Sequence, residues 1–131
     1  MSLRSGLLRI ALMVFGATFL LIYPLAIIWP SGWAWHAGAP HDSQYFMMIV
    51  GIYATLGVFL MNAARNPQAH LSLIWFTVWS SIVHAFIMAI QSLQSAEHAG
   101  HLLGDVPALI LVAAVLSALV WSPGEKIGEP Q

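Results

Sequence analysis

The chain contains no cysteine, which excludes disulfide bonds, thiolate metal sites and thiol redox chemistry. Charge is also scarce: 7% of its 131 residues are Asp, Glu, Lys or Arg, against about 25% in soluble domains. The 4 basic residues are too few for a nucleic-acid-binding surface. Hydrophobic residues make up 60% of the chain, which excludes intrinsic disorder. This composition predicts an integral membrane protein whose main partner is the lipid bilayer.

Four apolar segments predict transmembrane helices. A helix needs about 20 residues to cross a hydrocarbon core of roughly 30 Å, a length that three segments reach and the fourth falls short of. No segment alternates apolar and polar residues as a barrel strand would. We therefore predict one all-α domain over residues 1–131, an integral membrane four-helix bundle of up-down topology, with helices at residues 7–29, 45–64, 71–93 and 106–121.

Proline and glycine positions refine this prediction. Pro24 is expected to bend the first helix and to free a backbone carbonyl. Asp105 precedes Val-Pro, which is typical of a helix N-cap followed by proline in the first turn. Gly16, Gly51 and Gly57 would permit neighbouring helices to approach closely.

All four cations are predicted to lie on one side of the membrane. Arg4 and Arg9 open the first helix, and Arg65 follows the second. Lys126 lies in the C-terminal tail, and the first and third loops contain no basic residue. The positive-inside rule then places both termini in the cytoplasm. One arginine in the second loop is too little for an anion site, so Arg65 is expected to act as a topological anchor.

The opposite, periplasmic face collects histidines and carboxylates. His98, His101 and Asp105 in the third loop, with His41 from the first, would be a donor set for a divalent metal of the zinc or copper type. The alternative is a set of solvated loop residues, because the spacing matches no zinc signature. Trp33 and its neighbouring aromatic residues are expected to form an interfacial belt at this face.

The third helix carries a polar stripe, defined by steps of four and three residues that share one face at a period of 3.5. Its members are His70, Ile74, Thr77, Ser81, His84, Met88, Gln91, Ser95 and His98. We expect this stripe to face the other helices, because hydrocarbon would leave its polar groups unsatisfied. His84 falls near the bilayer midplane, and an ionisable residue at that depth is a candidate functional residue. The alternative is a structural hydrogen bond across the bundle, worth about 1 kcal/mol.

A ligand pocket is predicted around His84. Ser81, Met88 and Gln91 would line it from the third helix, with Tyr23 and Tyr53 from the first and second helices. A neutral imidazole can ligate a metal or haem, relay a proton or hydrogen-bond a carbonyl-bearing molecule.

Three stretches resemble a family of small, uncharacterised bacterial inner-membrane proteins with four helices. They are Asn62-Ala-Ala-Arg65-Asn-Pro67-Gln-Ala-His70-Leu-Ser-Leu-Ile, Trp79-Ser-Ser-Ile-Val-His84-Ala and Gly100-His101-Leu-Leu-Gly-Asp105-Val-Pro107. The resemblance implies a bacterial source, the four-helix fold and roles for Arg65, His84, His101 and Asp105. It brings no assigned activity.

Three functions stay open on this basis. The first is a non-catalytic binding or accessory protein, with a periplasm-facing pocket for a metal or a small apolar or quinone-like molecule. The second is a membrane enzyme or redox component in which His84 ligates a metal or one haem b, or shuttles protons. The third is a packing subunit of a homo-oligomer or a larger membrane complex. The absence of acidic residues within the predicted helices argues against proton-coupled exporters.

Overall fold

The computed structural model describes residues 3–33 and 38–121, which contain helices and no strand. The α-helices are α1 (Leu3–Leu20), α2 (Ile22–Ile28), α3 (Pro30–Trp33), α4 (Gln44–Ala63), α5 (Leu71–Gln94) and α6 (Asp105–Val120). Short 3₁₀ segments occupy Pro40–Asp42, Pro67–His70 and Ala96–Leu102. The bounds of α4, α5 and α6 lie within about one residue of the predicted helices, as expected from the usual uncertainty of helix ends.

The predicted first helix is divided in two. It begins earlier than expected, at Leu3, and is interrupted at Leu21, whose φ of −97° and ψ of 10° depart from α-helical values. Pro24 accounts for the interruption, because it has no N–H to donate to the carbonyl of Leu20 and its ring crowds that carbonyl. After α2 the chain turns again at Trp29 into the short helix α3.

Four helical segments are long and apolar enough to cross a membrane: Leu3–Leu20, Gln44–Ala63, Pro67–Gln94 and Ala96–Val120. Large apolar side chains such as Phe76, Trp79 and Phe86 are more than half exposed on the outside of the helices. Soluble monomers rarely expose such continuous apolar surface. The predicted all-α fold with four membrane-length helices is therefore confirmed, and these are the features of a multi-pass membrane protein.

Helix α1 packs against both α4 and α6, and α5 packs against α6. The backbones of α4 and α5 have little direct contact with each other. Arg4 donates a hydrogen bond to the carbonyl of Ala118 over 3.2 Å, so the start of α1 lies beside the end of α6. We call this the arginine end of the bundle. The larger core cluster extends along the bundle, and each long helix contributes a large, fully buried apolar side chain to it: Leu12, Leu60, Ile74 and Leu116.

The polar stripe predicted on α5 is only partly correct. The buried face of the helix includes Thr77, Ser81 and Met88 as expected, but Gln91 is exposed and Ser92 is buried in its place. A strict 3.5-residue repeat drifts by about 20° per heptad on a straight helix, which rotates the far end of the stripe away from the bundle. Polar residues near the end of α5 therefore leave the predicted face.

Two of the three glycines bring α1 and α4 together. A Cβ on Gly16 would lie 2.7 Å from the carbonyl oxygen of Gly57, and a Cβ on Gly57 would clash with the carbonyl of Gly16. Such contacts are typical of small residues at transmembrane helix crossings. Gly51 does not serve this role, because a Cβ there would meet nothing within 4 Å.

The two glycines of α4 make a matched test of this crossing. We expect Gly57→Ala to lower the melting temperature in detergent, because overpacking a helix contact costs about 1–3 kcal/mol. Gly51→Ala makes the same chemical change in open space and should be neutral or stabilising by up to about 1 kcal/mol. Equal melting temperatures for the two variants would contradict the close crossing.

Candidate functional site

A cavity of about 260 Å³ lies in the half of the bundle remote from the arginine end. It occupies the region where α4 and α5 face each other without close packing, and α1 and α6 complete its walls. Most of the lining is apolar: Phe15, Phe19, Ile22, Phe46, Ile49, Leu109 and Val112. The side chains that bring a hydroxyl, ring nitrogen, sulfur or carboxylate to this lining are Thr18, Trp33, Tyr53, His84, Met88 and Asp105.

The Tyr53–His84 pair bridges the two helices on either side of the cavity. The hydroxyl of Tyr53 on α4 is hydrogen-bonded to Nδ1 of His84 on α5, and the two ring centroids lie 5.7 Å apart. Phe19 on α1 meets the Tyr53 ring edge to face, with centroids 5.1 Å apart and planes at 76°. This aromatic contact fixes the Tyr53 ring, so the pair is held by three helices.

The pair retains hydrogen-bonding capacity. A neutral imidazole carries one N–H, and the phenol carries one O–H. When the Tyr53 hydroxyl donates to Nδ1, the proton of His84 is on Nε2. When Nδ1–H donates instead, the hydroxyl proton of Tyr53 is left over. In both tautomers one donor of the pair is not used by the bond between them.

A second polar pair lies at the end of the cavity remote from the arginines. His101 Nδ1 is 3.0 Å from both carboxylate oxygens of Asp105, and the His101 side chain is 1% exposed. Asp105 is the first residue of α6 and lines the cavity. The predicted N-cap is therefore wrong: Gly104 is the N-cap, and the Asp105 carboxylate is oriented by the His101 ring.

The first and third loops meet above this pair. The backbone at Gly100 lies against Ser31, and that at Gly104 lies against Gly32, so closely that a Cβ at either position would clash. Glycine is the one residue that permits this approach. Trp33, at the end of α3, is half-buried and lines the cavity, whereas we had expected it in an interfacial belt.

The four predicted metal ligands are not gathered into one site. His101 and Asp105 are paired, and the His98 ring lies 5.9 Å from that of His101. His41 is exposed instead, with contacts to Tyr23 and Asp42. Across residues 3–33 and 38–121, no group of three or more His, Cys, Asp or Glu is arranged to hold a metal ion.

The predicted pocket residues also separate into two groups. Tyr53, His84 and Met88 line the cavity, as predicted. Ser81 is buried but does not line it, and Gln91 is exposed on α5. Tyr23 lies on α2, where its hydroxyl is 3.5 Å from Nδ1 of His41, and it is likewise outside the lining.

The predicted topology anchors Arg4, Arg9 and Arg65 all lie toward the arginine end, and Lys126 falls outside the described residues.

The aromatic walls of the cavity, formed by Phe15, Phe19 and Phe46, were not predicted from the sequence. Their apolar character predicts burial or lipid contact equally well, so no signal in the chain distinguishes them.

The fold and the cavity define a multi-pass α-helical membrane protein with a mostly apolar internal site. The chain belongs to a family of unknown function, DUF6632, whose family model matches residues 4–130. The expected membership of an uncharacterised family is thereby confirmed. Comparison with curated proteins and with solved structures finds no match. Function has to be inferred from the site itself.

The buried His101–Asp105 pair gives a prediction about stability. We expect His101→Ala to destabilise the protein by about 3 kcal/mol, because it would leave the Asp105 carboxylate buried without its partner. His41→Ala, in a ring that is 62% exposed, should change stability by less than about 1 kcal/mol. Thermal unfolding in detergent measures both, and equal shifts would contradict a structural role for the buried pair.

Proposed function

We propose that this protein is a non-catalytic binding or accessory protein that holds a small, mostly apolar molecule bearing a hydrogen-bonding oxygen. The carbonyl of a quinone-like ring is the chemistry that fits best. The observation that carries the proposal is the Tyr53–His84 pair in an otherwise largely apolar cavity. Small-molecule sites typically combine apolar walls with a few placed polar groups.

The size and lining of the cavity support a compact ring. Its volume of about 260 Å³ is near the lower end of small-molecule pockets, which run from roughly 300 to 1,000 Å³. Phe19, Phe46 and Trp33 offer flat apolar faces to such a ring. The unused donor of the Tyr53–His84 pair would meet the carbonyl oxygen, and a buried hydrogen bond of this kind contributes about 1 kcal/mol.

The haem alternative has less support from the geometry. A haem held by two protein ligands requires donors on opposite faces of the ring. His84 and Met88 lie one turn apart on α5, so both would approach a haem from the same side. Tyr53 and Asp105 also line the cavity with atoms that could ligate iron, but Tyr53 is bonded to His84 and Asp105 to His101.

A packing subunit would be expected to bury His84 in a filled interface between helices. The cavity beside His84 favours ligand binding over this third alternative. Assembly into a homo-oligomer or a larger complex is compatible with either function.

We further propose a location in a bacterial inner membrane, with up-down topology and both termini in the cytoplasm. Arg9 and Arg65 line one groove, and Arg4 bonds the end of α6 at the same end of the bundle. The described carboxylates Asp42, Glu97 and Asp105 lie toward the other end. This distribution favours a cytoplasmic arginine end by the positive-inside rule, and the cavity would then be in the periplasmic half.

Ligand binding can be tested with two probes of similar shape, naphthoquinone and naphthalene. Naphthoquinone should bind the purified protein at least about fivefold more tightly than naphthalene, because naphthalene lacks the carbonyl acceptors. We expect His84→Ala to abolish this preference and Tyr53→Phe to reduce it. Saturable quenching of tryptophan fluorescence measures both affinities.

Ser81→Ala is the matched control, because Ser81 is buried one turn before His84 on α5 but does not line the cavity. Its preference for naphthoquinone should equal that of the unmodified protein. The ratio of the two affinities is the decisive quantity, since a change in cavity volume affects both probes. A ratio near one in the unmodified protein would refute the proposal.

Orientation can be tested by fusing reporters to the chain in bacterial cells. A fluorescent reporter that matures only in the cytoplasm should be bright at both termini, and alkaline phosphatase should be inactive there. Insertion of the phosphatase after Asp42 should give activity, because that loop is expected in the periplasm. Phosphatase activity at either terminus would reverse the assignment.

A further inference from the structure

A second cavity opens on the outside of the bundle between α1 and α4. It is a groove of about 780 Å³ at the arginine end, where Arg9 and Arg65 line it together with Asn62. One arginine had seemed too little for an anion site. The antiparallel crossing of α1 and α4 brings a second one to the same groove, from a position far away in the chain.

Among residues 3–33 and 38–121, no carboxylate lines this groove. In the described part of the chain, the ion pairs join His41 to Asp42 and His101 to Asp105, and both lie toward the other end of the bundle. The Nε atom of Arg9 is buried and has no hydrogen-bond partner among the described residues. Two guanidinium groups with no described carboxylate beside them favour an anionic acceptor in the groove.

The rest of the groove is apolar. Its walls include Met13, Leu20 and Val58, each more than a third exposed on the outside of the bundle. From Arg9 to Leu20 the groove follows α1 for roughly 16 Å at 1.5 Å per residue. One leaflet of a hydrocarbon core of roughly 30 Å is about 15 Å deep, so the groove is as long as one leaflet.

We propose that this groove binds an anionic phospholipid of the leaflet at the arginine end. The lipid phosphate would accept hydrogen bonds from Arg9 and Arg65, and one acyl chain would lie along Met13 toward Leu20. Arginine is well suited to this role, because its planar guanidinium donates in pairs to phosphate oxygens. This proposal does not depend on the ligand of the Tyr53–His84 cavity.

The test uses the full-length protein purified in an uncharged detergent. Phosphatidylglycerol and phosphatidylcholine with identical acyl chains are added in equal amounts, and bound lipid is counted by native mass spectrometry. We expect phosphatidylglycerol to bind about tenfold more tightly. The double substitution Arg9→Gln with Arg65→Gln should bring this preference close to one, because it removes both charged donors.

Arg4→Gln provides the matched control, because Arg4 lies at the same end but bonds the carbonyl of Ala118 and does not line the groove. It removes one positive charge, as each of the two groove substitutions does, and should leave the preference unchanged. Met13→Trp tests the acyl path with both groove arginines intact, and it should weaken phosphatidylglycerol binding about tenfold. Met13→Trp also tests the proposal if the double variant is not folded, as shown by the absence of an unfolding transition.

Three results would overturn the proposal. Equal binding of the two lipids would remove the anionic specificity, and an equal loss in Arg4→Gln would indicate a diffuse charge effect. Displacement of the lipid by an equal concentration of soluble glycerol phosphate would show that the site recognises free phosphate and makes no use of the acyl chain.

Discussion

Hydrocarbon offers no hydrogen-bond partners, so the polar groups of the spans have to be satisfied inside the protein. The hydroxyls of Thr18, Thr55, Thr77 and Ser92 donate to the carbonyl four residues earlier in their own helix. The rings of Tyr53 and His84 are too long for this local solution and bond each other across two helices. This bond places a polar pair at the cavity, which is why the candidate site lies there.

The helices were largely predictable because length and hydropathy determine whether a segment can cross a bilayer. The bounds of α4, α5 and α6 needed no knowledge of neighbouring helices. The division of the first helix was harder, since a proline in a membrane helix can be accommodated without interrupting it. Its cause, Pro24, was identified, but the position of the break at Leu21 depends on the local backbone. Gln91 was misplaced because the assumed period was slightly shorter than that of the helix.

Part of the candidate site was predictable, namely the part that follows from how deep a residue lies in the membrane. His84 stands out as an ionisable group far from both ends of α5, and Tyr53 and Met88 were correctly associated with it. The pairing of His101 with Asp105 was not foreseen, although their spacing of four residues is compatible with contact. Which loop residues turn inward depends on the contact between α3 and Ala96–Leu102, and that contact joins parts of the chain remote in sequence.

The charged groups at the two ends of the bundle are paired in different ways. Asp105 is paired within the protein with His101, and both side chains are buried. In the described part of the chain, no carboxylate lines the groove at the arginine end to compensate Arg9 and Arg65. A membrane supplies anions at its surface in the form of lipid phosphates, so the arginines can be satisfied from outside the chain. The separation of charge that we propose to orient the protein would thus also create a need for an anionic lipid.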